Sequence, residues 1–160
     1  MNSLSLGYDH DVATVFALMI DADFLRRRRE AVGELDVVVD VKENAGAFEV
    51  TISRDIETDI PSFAKKVFNP KNRVVDVTTW KIEGESRVGV YHAKVGSRIE
   101  ITGNVSLRPS AGGCEYSESF TPSVRVALIG KRLETFVARE VLQGIRADHG
   151  FTRSELRART

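Results

Sequence analysis

The sequence predicts an α+β fold: an antiparallel sheet of about seven strands followed by one long C-terminal helix. Six runs of β-type residues follow one another between Leu35 and Phe120. Short turns join most of them, which indicates an antiparallel meander rather than parallel strands with helical crossovers. A seventh run opens the chain, and two short helical segments separate it from the meander. A wide apolar stripe of helical period occupies the end of the chain.

The N-terminal third predicts one strand and two helices. Apolar and polar residues alternate over Ser3–Tyr8, which is typical of a strand. Asp9 is the candidate N-cap of a first helix, and Asp21 precedes a second helix over Ala22–Ala31. Gly33 is expected to end that helix in a left-handed conformation.

Apolar and polar residues alternate along each strand of the predicted meander, and glycine-rich turns separate the strands. The strands are predicted over Leu35–Val41, Phe48–Ile52, Val74–Ile82, Val88–Val95, Ile99–Leu107 and Cys114–Phe120. Ile60–Phe68 interrupts the series between the second and third of these strands. Pro61 near its start and the spacing of Phe63 and Val67 predict a short amphipathic helix there.

The C-terminal region predicts one long helix and a separate tail. Apolar residues recur at helical spacing from Leu128 to Asp148, and Gly150 is expected to stop the helix. Thr152–Glu155 resembles a capping box, so the basic tail over 151–160 is predicted to form a short helix of its own.

Length, charge and cysteine content exclude several classes of protein. The chain has 160 residues, the usual size of one domain, and 23 basic against 23 acidic residues. A nucleic-acid binder normally has a basic excess, so that class is disfavoured. The single Cys114 excludes an internal disulfide and a cysteine-rich zinc site. We expect a single cytoplasmic domain, monomeric or homodimeric, without cofactor, metal or transmembrane segment, because no signal peptide or long apolar run is visible.

The order of elements, together with several local motifs, resembles the helix-grip fold of the START-like superfamily. The motifs are Ile60-Pro61 with Phe63–Val67, Trp80, Gly96–Gly103, Leu107-Arg108-Pro109, Pro122 and Leu128–Glu134. Within that superfamily the chain is most similar to an uncharacterised branch known only as a domain of unknown function. The resemblance implies a strongly curved sheet wrapped around the C-terminal helix, with an apolar cavity between them. Lipid-transfer domains, polyketide cyclases and plant carriers of hydrophobic ligands use this space.

Strand parity selects the residues that would face such a cavity. A four-residue Pro109–Gly112 loop would place Tyr116 and Glu118 on the inner face, with Glu118 opposite Gly103; alternatively Glu118 reaches the cavity mouth, or a bulge turns it outward. A two-residue turn at Gly96-Ser97 would leave Trp80 outside, with the face of Val77 and Val90 turned inward. A three-residue turn would put Trp80 and Tyr91 inside, and the burial of two large aromatic side chains favours this alternative.

The interrupting segment and the long helix supply further candidates. Phe63, Val67 and Phe68 form either a lid over the cavity or a satellite core. The candidate ligand-contacting residues are Phe48, Val50, Ile52, Phe63, Val67, Phe68, Trp80, Tyr91, Ile101, Val105, Tyr116, Glu118, Phe120, Leu133, Phe136 and Val137.

The sequence favours a binding protein over an enzyme. It contains no motif for nucleophilic catalysis or phosphate binding. We expect a hydrophobic small molecule as ligand, such as a lipid, fatty acid, sterol-like or polyketide compound. The alternatives are a cyclase or aromatase with His92, Tyr116 or Glu118 as acid and base, and a protein-interaction module with a filled core. The run Arg26–Arg29 is interpreted as a solvated face with salt bridges, although a phosphate or transient membrane contact is compatible with it.

Overall fold

A computed structural model describes residues 1–160, the whole of the printed sequence. It confirms the α+β class, with seven antiparallel strands in one curved open sheet and two short helices after the first strand. The strands are β1 (Asn2–Tyr8), β2 (Leu35–Asn44), β3 (Ala47–Glu57), β4 (Lys71–Glu83), β5 (Ser86–Val95), β6 (Ile99–Ser110) and β7 (Gly113–Val124). The helices are α1 (Val12–Met19), α2 (Ala22–Ala31) and α3 (Gly130–Arg159).

Strands β2 to β7 form an antiparallel meander, and β1 joins the sheet beside β7. The strand order is β1-β7-β6-β5-β4-β3-β2, so β1 pairs with β7 and the two edges are β1 and β2. One face of this sheet carries α1, α2 and α3. The other face carries small polar residues and exposed valines such as Val75 and Val90. The inner face is therefore the one on which a site can be enclosed.

Aspartate side chains begin both short helices. Asp11 accepts a hydrogen bond from the Thr14 N–H at 2.8 Å, so it is the N-cap of α1 and the expectation for Asp9 was wrong by two residues. Asp21 accepts from the Phe24 N–H at 3.0 Å, as predicted. Such caps satisfy N–H groups that a first helical turn leaves without an intrahelical partner.

The turns on either side of β6 set which residues point inward. Val95 pairs with Ile99, so three residues connect β5 to β6, and Tyr91 lies opposite Gly103. This is the alternative that places Trp80 and Tyr91 inside. The β6–β7 turn has two residues instead of four, and Glu118 therefore lies opposite Val105 rather than Gly103. A shift of two residues preserves parity, so Glu118 still points inward.

The C-terminal helix is longer than the sequence predicts. It continues through Gly150 to Arg159, and no separate tail helix exists. Thr152 and Leu156 are buried, and burial of that apolar face stabilises the helix beyond the glycine. The Thr152 hydroxyl donates to the Asp148 carbonyl oxygen at 2.7 Å instead of capping a new helix.

The predicted helix over Ile60–Phe68 is only a turn. A 3₁₀ segment spans Ser62–Ala64, and the chain then turns again toward Phe68. Pro70 disfavours helical geometry at the preceding residue, which leaves too few residues for a stable α-helix.

The core consists of two clusters. One lies beneath α1 and α2 and includes Phe16, Phe24 and Trp80; the other lies between α3 and the strands β5 to β7 and includes Phe120 and Ile145. None of the three helices combines the length and the apolar character required to cross a membrane.

Candidate functional site

A large cavity separates α3 from the middle of the sheet. The helix packs against β7, β1 and α2, and a straight helix cannot follow a curved sheet across its whole width. The gap that remains has a volume of about 770 Å³. Of its 39 lining residues 24 are hydrophobic, which makes it an apolar site of the size that small-molecule ligands occupy.

Most of the candidate ligand-contacting residues lie on the wall of this one cavity. They are Val50, Ile52, Phe68, Trp80, Tyr91, Ile101, Val105, Tyr116, Glu118, Leu133, Phe136 and Val137. They come from five neighbouring strands, β3 to β7, from the turn before β4 and from the first half of α3. The structure therefore brings together residues that are far apart in the sequence, from Val50 to Val137.

The other four candidates lie outside the lining. Phe48 packs edge-on against Phe16 of α1, with ring centroids 5.5 Å apart. Phe120 is fully buried in the core beneath α3. Phe63 and Val67 do not line the cavity. The ring of Phe63 lies 3.9 Å from the guanidinium carbon of Arg132, which attaches the turn to the start of α3.

Two glycines make room for the aromatic side chains of the wall. Trp80 pairs with Gly89, and a Cβ on that glycine would lie 3.3 Å from the indole ring and 2.9 Å from Val105 Cγ2. A Cβ on Gly103 would lie 2.6 Å from Tyr91 Cε1. Both aromatic rings thus lie against backbone that carries no side chain, an arrangement that only glycine allows.

A polar cluster is built into the apolar wall. The Tyr116 hydroxyl donates a hydrogen bond of 2.5 Å to Glu118 Oε1. Burial raises the pKa of Glu118, while hydrogen bonding with Tyr116 and the nearby Arg28 guanidinium partly oppose that rise. Burial likewise raises the pKa of Tyr116 and of Tyr91. The Tyr91 hydroxyl lies near Glu118, and the Glu118 charge contributes to the raised pKa of Tyr91. Tyr91 Oη is buried without a hydrogen-bond partner.

Two arginines of α2 also enter the cavity, contrary to the expectation for the Arg26–Arg29 run. Arg28 donates to the Thr152 hydroxyl at 3.3 Å and lies 3.7 Å from an oxygen of Asp148. Arg29 donates to Asp148 and lies 3.5 Å from Glu34. Burial lowers the pKa of Arg29 to about 10. Only the other half of the run is solvated: Arg26 and Arg27 pair with acidic side chains at the surface.

The ion pairs continue from α2 onto the sheet. Arg54 of β3 donates to Glu34 at 3.1 Å and also to Asp76 of β4. The network therefore joins α2 with α3 and two strands across the cavity. Its side chains are largely buried, so breaking one pair would leave a charge with little solvation.

Sequence reasoning missed the charged part of the wall, although a signal was present. Arg54 continues the inward series that contains Val50 and Ile52, and Asp76 shares parity with Trp80. A charged residue at an inward position of a strand is a candidate site residue. The remaining arginines could not be assigned from α2 alone, since four adjacent residues cover every side of a helix.

Other chemically suggestive residues lie elsewhere. His92 is on the outer face, 3.8 Å from Glu100 and 44% exposed, so it is excluded as an acid or base in the cavity. Cys114 is buried beside α1, and burial raises the pKa of its thiol to about 11, which opposes a nucleophilic role. No group of three or more His, Cys, Asp or Glu side chains is arranged to hold a metal ion.

Comparison with known proteins gives a family and a fold. Residues 3–156 match the model of a family described as a protein of unknown function, DUF2505. No curated protein matches the chain. An uncharacterized protein from Rhizobium leguminosarum has a similar structure, with a TM-score of 0.60 at 13% identity over 98% of this chain and 93% of that one. A protein from Chromobacterium violaceum gives a TM-score of 0.51 at 12% identity, over 96% and 94%. At these identities the similarity concerns the fold alone.

Proposed function

The chain belongs to the DUF2505 family, whose function is unknown, and we propose that it binds a hydrophobic small molecule in the cavity between sheet and α3. The single observation that carries this proposal is the cavity itself: about 770 Å³, lined mainly by apolar side chains. Its size falls within the range typical of ligand sites, and a core filled with side chains would not leave such a space. The resemblance of the sequence to the START-like superfamily supports the same function.

The affinity would come from burial of apolar surface. Each buried methylene contributes about 0.8 kcal/mol, so a dodecyl tail would contribute about 9 kcal/mol before the cost of association. Trp80, Phe68 and Phe136 offer aromatic contacts on three sides of the space. The buried cluster of Tyr91, Tyr116 and Glu118 would then fix the orientation of a polar end group.

A titration with 1-dodecanol tests the proposal, and Trp80 is its reporter. It is the only tryptophan of the chain and lies on the cavity wall. We expect a saturable change in its emission with a dissociation constant on the order of micromolar. The Trp80→Phe variant should lose the signal while calorimetry still detects binding.

Two glycines of α3 provide a matched pair of variants. Gly144 lines the cavity, Gly150 does not, and a Cβ added at either position meets nothing within 4 Å. Gly144→Leu should fill the space and weaken binding about tenfold or more, whereas Gly150→Leu should leave it unchanged. Equal affinities of the two variants, or no binding by the unmodified protein, would contradict the proposal.

A second candidate function is acid–base catalysis in the same cavity. The observation that favours it is the 2.5 Å hydrogen bond between Tyr116 and Glu118, because an enzyme requires titratable groups within hydrogen-bond reach of each other. Mass spectrometry of a bound compound before and after incubation separates the two functions. A mass change that Glu118→Gln abolishes would indicate an enzyme, and an unchanged compound would indicate a carrier or sensor.

A further inference from the structure

We propose that the cavity selects an uncharged apolar molecule that ends in a hydroxyl group, in preference to a carboxylate or an ammonium ion on the same tail. This inference rests on the proposed function and specifies the chemistry of its ligand. Three features of the wall support it: its excess of carboxyl groups, the ion pairs that each of its arginines already forms, and three buried polar atoms that have no hydrogen-bond partner.

The charge of the wall disfavours an anion. Three arginines face six carboxyl groups, namely Arg28, Arg29 and Arg54 against Glu34, Glu57, Asp76, Glu118, Glu140 and Asp148. The arginines already form ion pairs with acidic residues of the network. A ligand carboxylate would therefore compete with the acidic side chains of the wall for guanidinium groups that are already paired, and the excess of carboxyl groups would repel it.

The wall also disfavours a buried cation. Glu118 is the carboxyl group of the interior that forms no salt bridge, so an ammonium ion would have to bind there. The guanidinium of Arg28 lies close enough to Glu118 to lower its pKa, and the same positive charge would repel an ammonium group. Tyr116 already donates to one oxygen of this carboxyl group.

A hydroxyl group matches what the cluster leaves open. Tyr91 Oη, Arg28 Nε and Arg29 Nε belong to the wall, are buried and have no hydrogen-bond partner. Glu118 Oε1 accepts from Tyr116, and the carboxyl group has a second oxygen that can accept a further hydrogen bond. A hydroxyl group both donates and accepts, so it can donate to Glu118 and accept from Tyr91 or Arg28 without adding charge. A buried donor that is costly to leave unpaired would thereby gain a partner.

Three probes with one tail test the inference: 1-dodecanol, dodecanoate and dodecylamine, titrated against the full chain with Trp80 emission as the signal. At about pH 8 the acid is ionised and the amine is protonated. We expect 1-dodecanol to bind about tenfold or more tightly than either charged probe. Dodecanoate or dodecylamine binding as tightly as the alcohol would overturn the inference and leave the proposed function intact. Absence of binding by all three would overturn both.

Two conservative variants check the assigned atoms. Tyr91→Phe should weaken 1-dodecanol binding about three- to tenfold without lowering the stability of the free protein, because the lost hydroxyl has no partner there. Glu118→Gln should bring the affinity for dodecanoate closer to that for the alcohol. Glu115→Gln is the control, since Glu115 lies on the same strand but is exposed on the outer face. Equal responses of the Glu118 and Glu115 variants would contradict the role of the cluster.

Discussion

Replacement of Gly150 by alanine should stabilise the protein by about 1 kcal/mol. The residue lies inside the continuous helix α3, where glycine costs more conformational entropy than alanine. Its φ is not in the left-handed region, and an added Cβ would meet nothing within 4 Å. No packing cost therefore offsets the gain in helix propensity. For a chain of this length, that gain corresponds to a rise of about 2–4 °C in the melting temperature.

Urea denaturation followed by circular dichroism measures the change, and Gly46→Ala is the control. Gly46 also has open space around its Cβ position, but its φ is +81°. Alanine there should destabilise the protein by about 1–2 kcal/mol, so the two variants differ in sign for a purely conformational reason. Destabilisation by Gly150→Ala would refute the reasoning, because it would mean that the helix ends at Gly150. The position of Thr152, and with it the hydrogen bond from Arg28 to the Thr152 hydroxyl, would then be wrong as well.

Three further substitutions test the site, all by urea denaturation. Gly103→Ala should cost about 2–3 kcal/mol, since its Cβ would lie 2.3 Å from a backbone carbonyl oxygen; a neutral result would contradict the close approach of the strands. Asp148→Asn should cost about 2 kcal/mol by leaving Arg29 without its closest anionic partner, and an unchanged stability would refute the network. Glu118→Gln should match the unmodified protein well below pH 4.5 and become relatively more stable as the pH rises above it. The folded-state pKa of Glu118 is raised, so its ionisation destabilises the fold, and a pH-independent difference would contradict this.

The sheet and its inner face were predictable because short turns fix strand parity. Glycines between alternating runs located the strands, and the burial of two large aromatic side chains correctly favoured the turn that places Trp80 and Tyr91 inside. The β6–β7 turn length was wrong by two residues, yet Glu118 remained on the inner face because the side-chain period is two. An error of two residues in a turn therefore changes which residues pair but leaves unchanged which face of the sheet a side chain points to.

The end of α3 and the ion network depend on tertiary contacts and were not predictable in the same way. Gly150 has the local signature of a helix stop, but Leu156 and Thr152 gain more from burial than one glycine costs. Arg28 and Arg29 are distinguished from Arg26 and Arg27 only by the side of α2 that packs toward the cavity and α3. A run of charged residues within a helix does not by itself indicate which of them is buried.

Native mass spectrometry of the purified protein, followed by organic extraction, tests the central claim most directly. The account predicts a stoichiometric apolar compound that carries a hydroxyl group and dissociates from the Gly144→Leu variant but not from Gly150→Leu. A mass equal to that of the chain alone, with no apolar compound in the extract and no thermal shift on addition of 1-dodecanol, would contradict the claim that the cavity is a binding site.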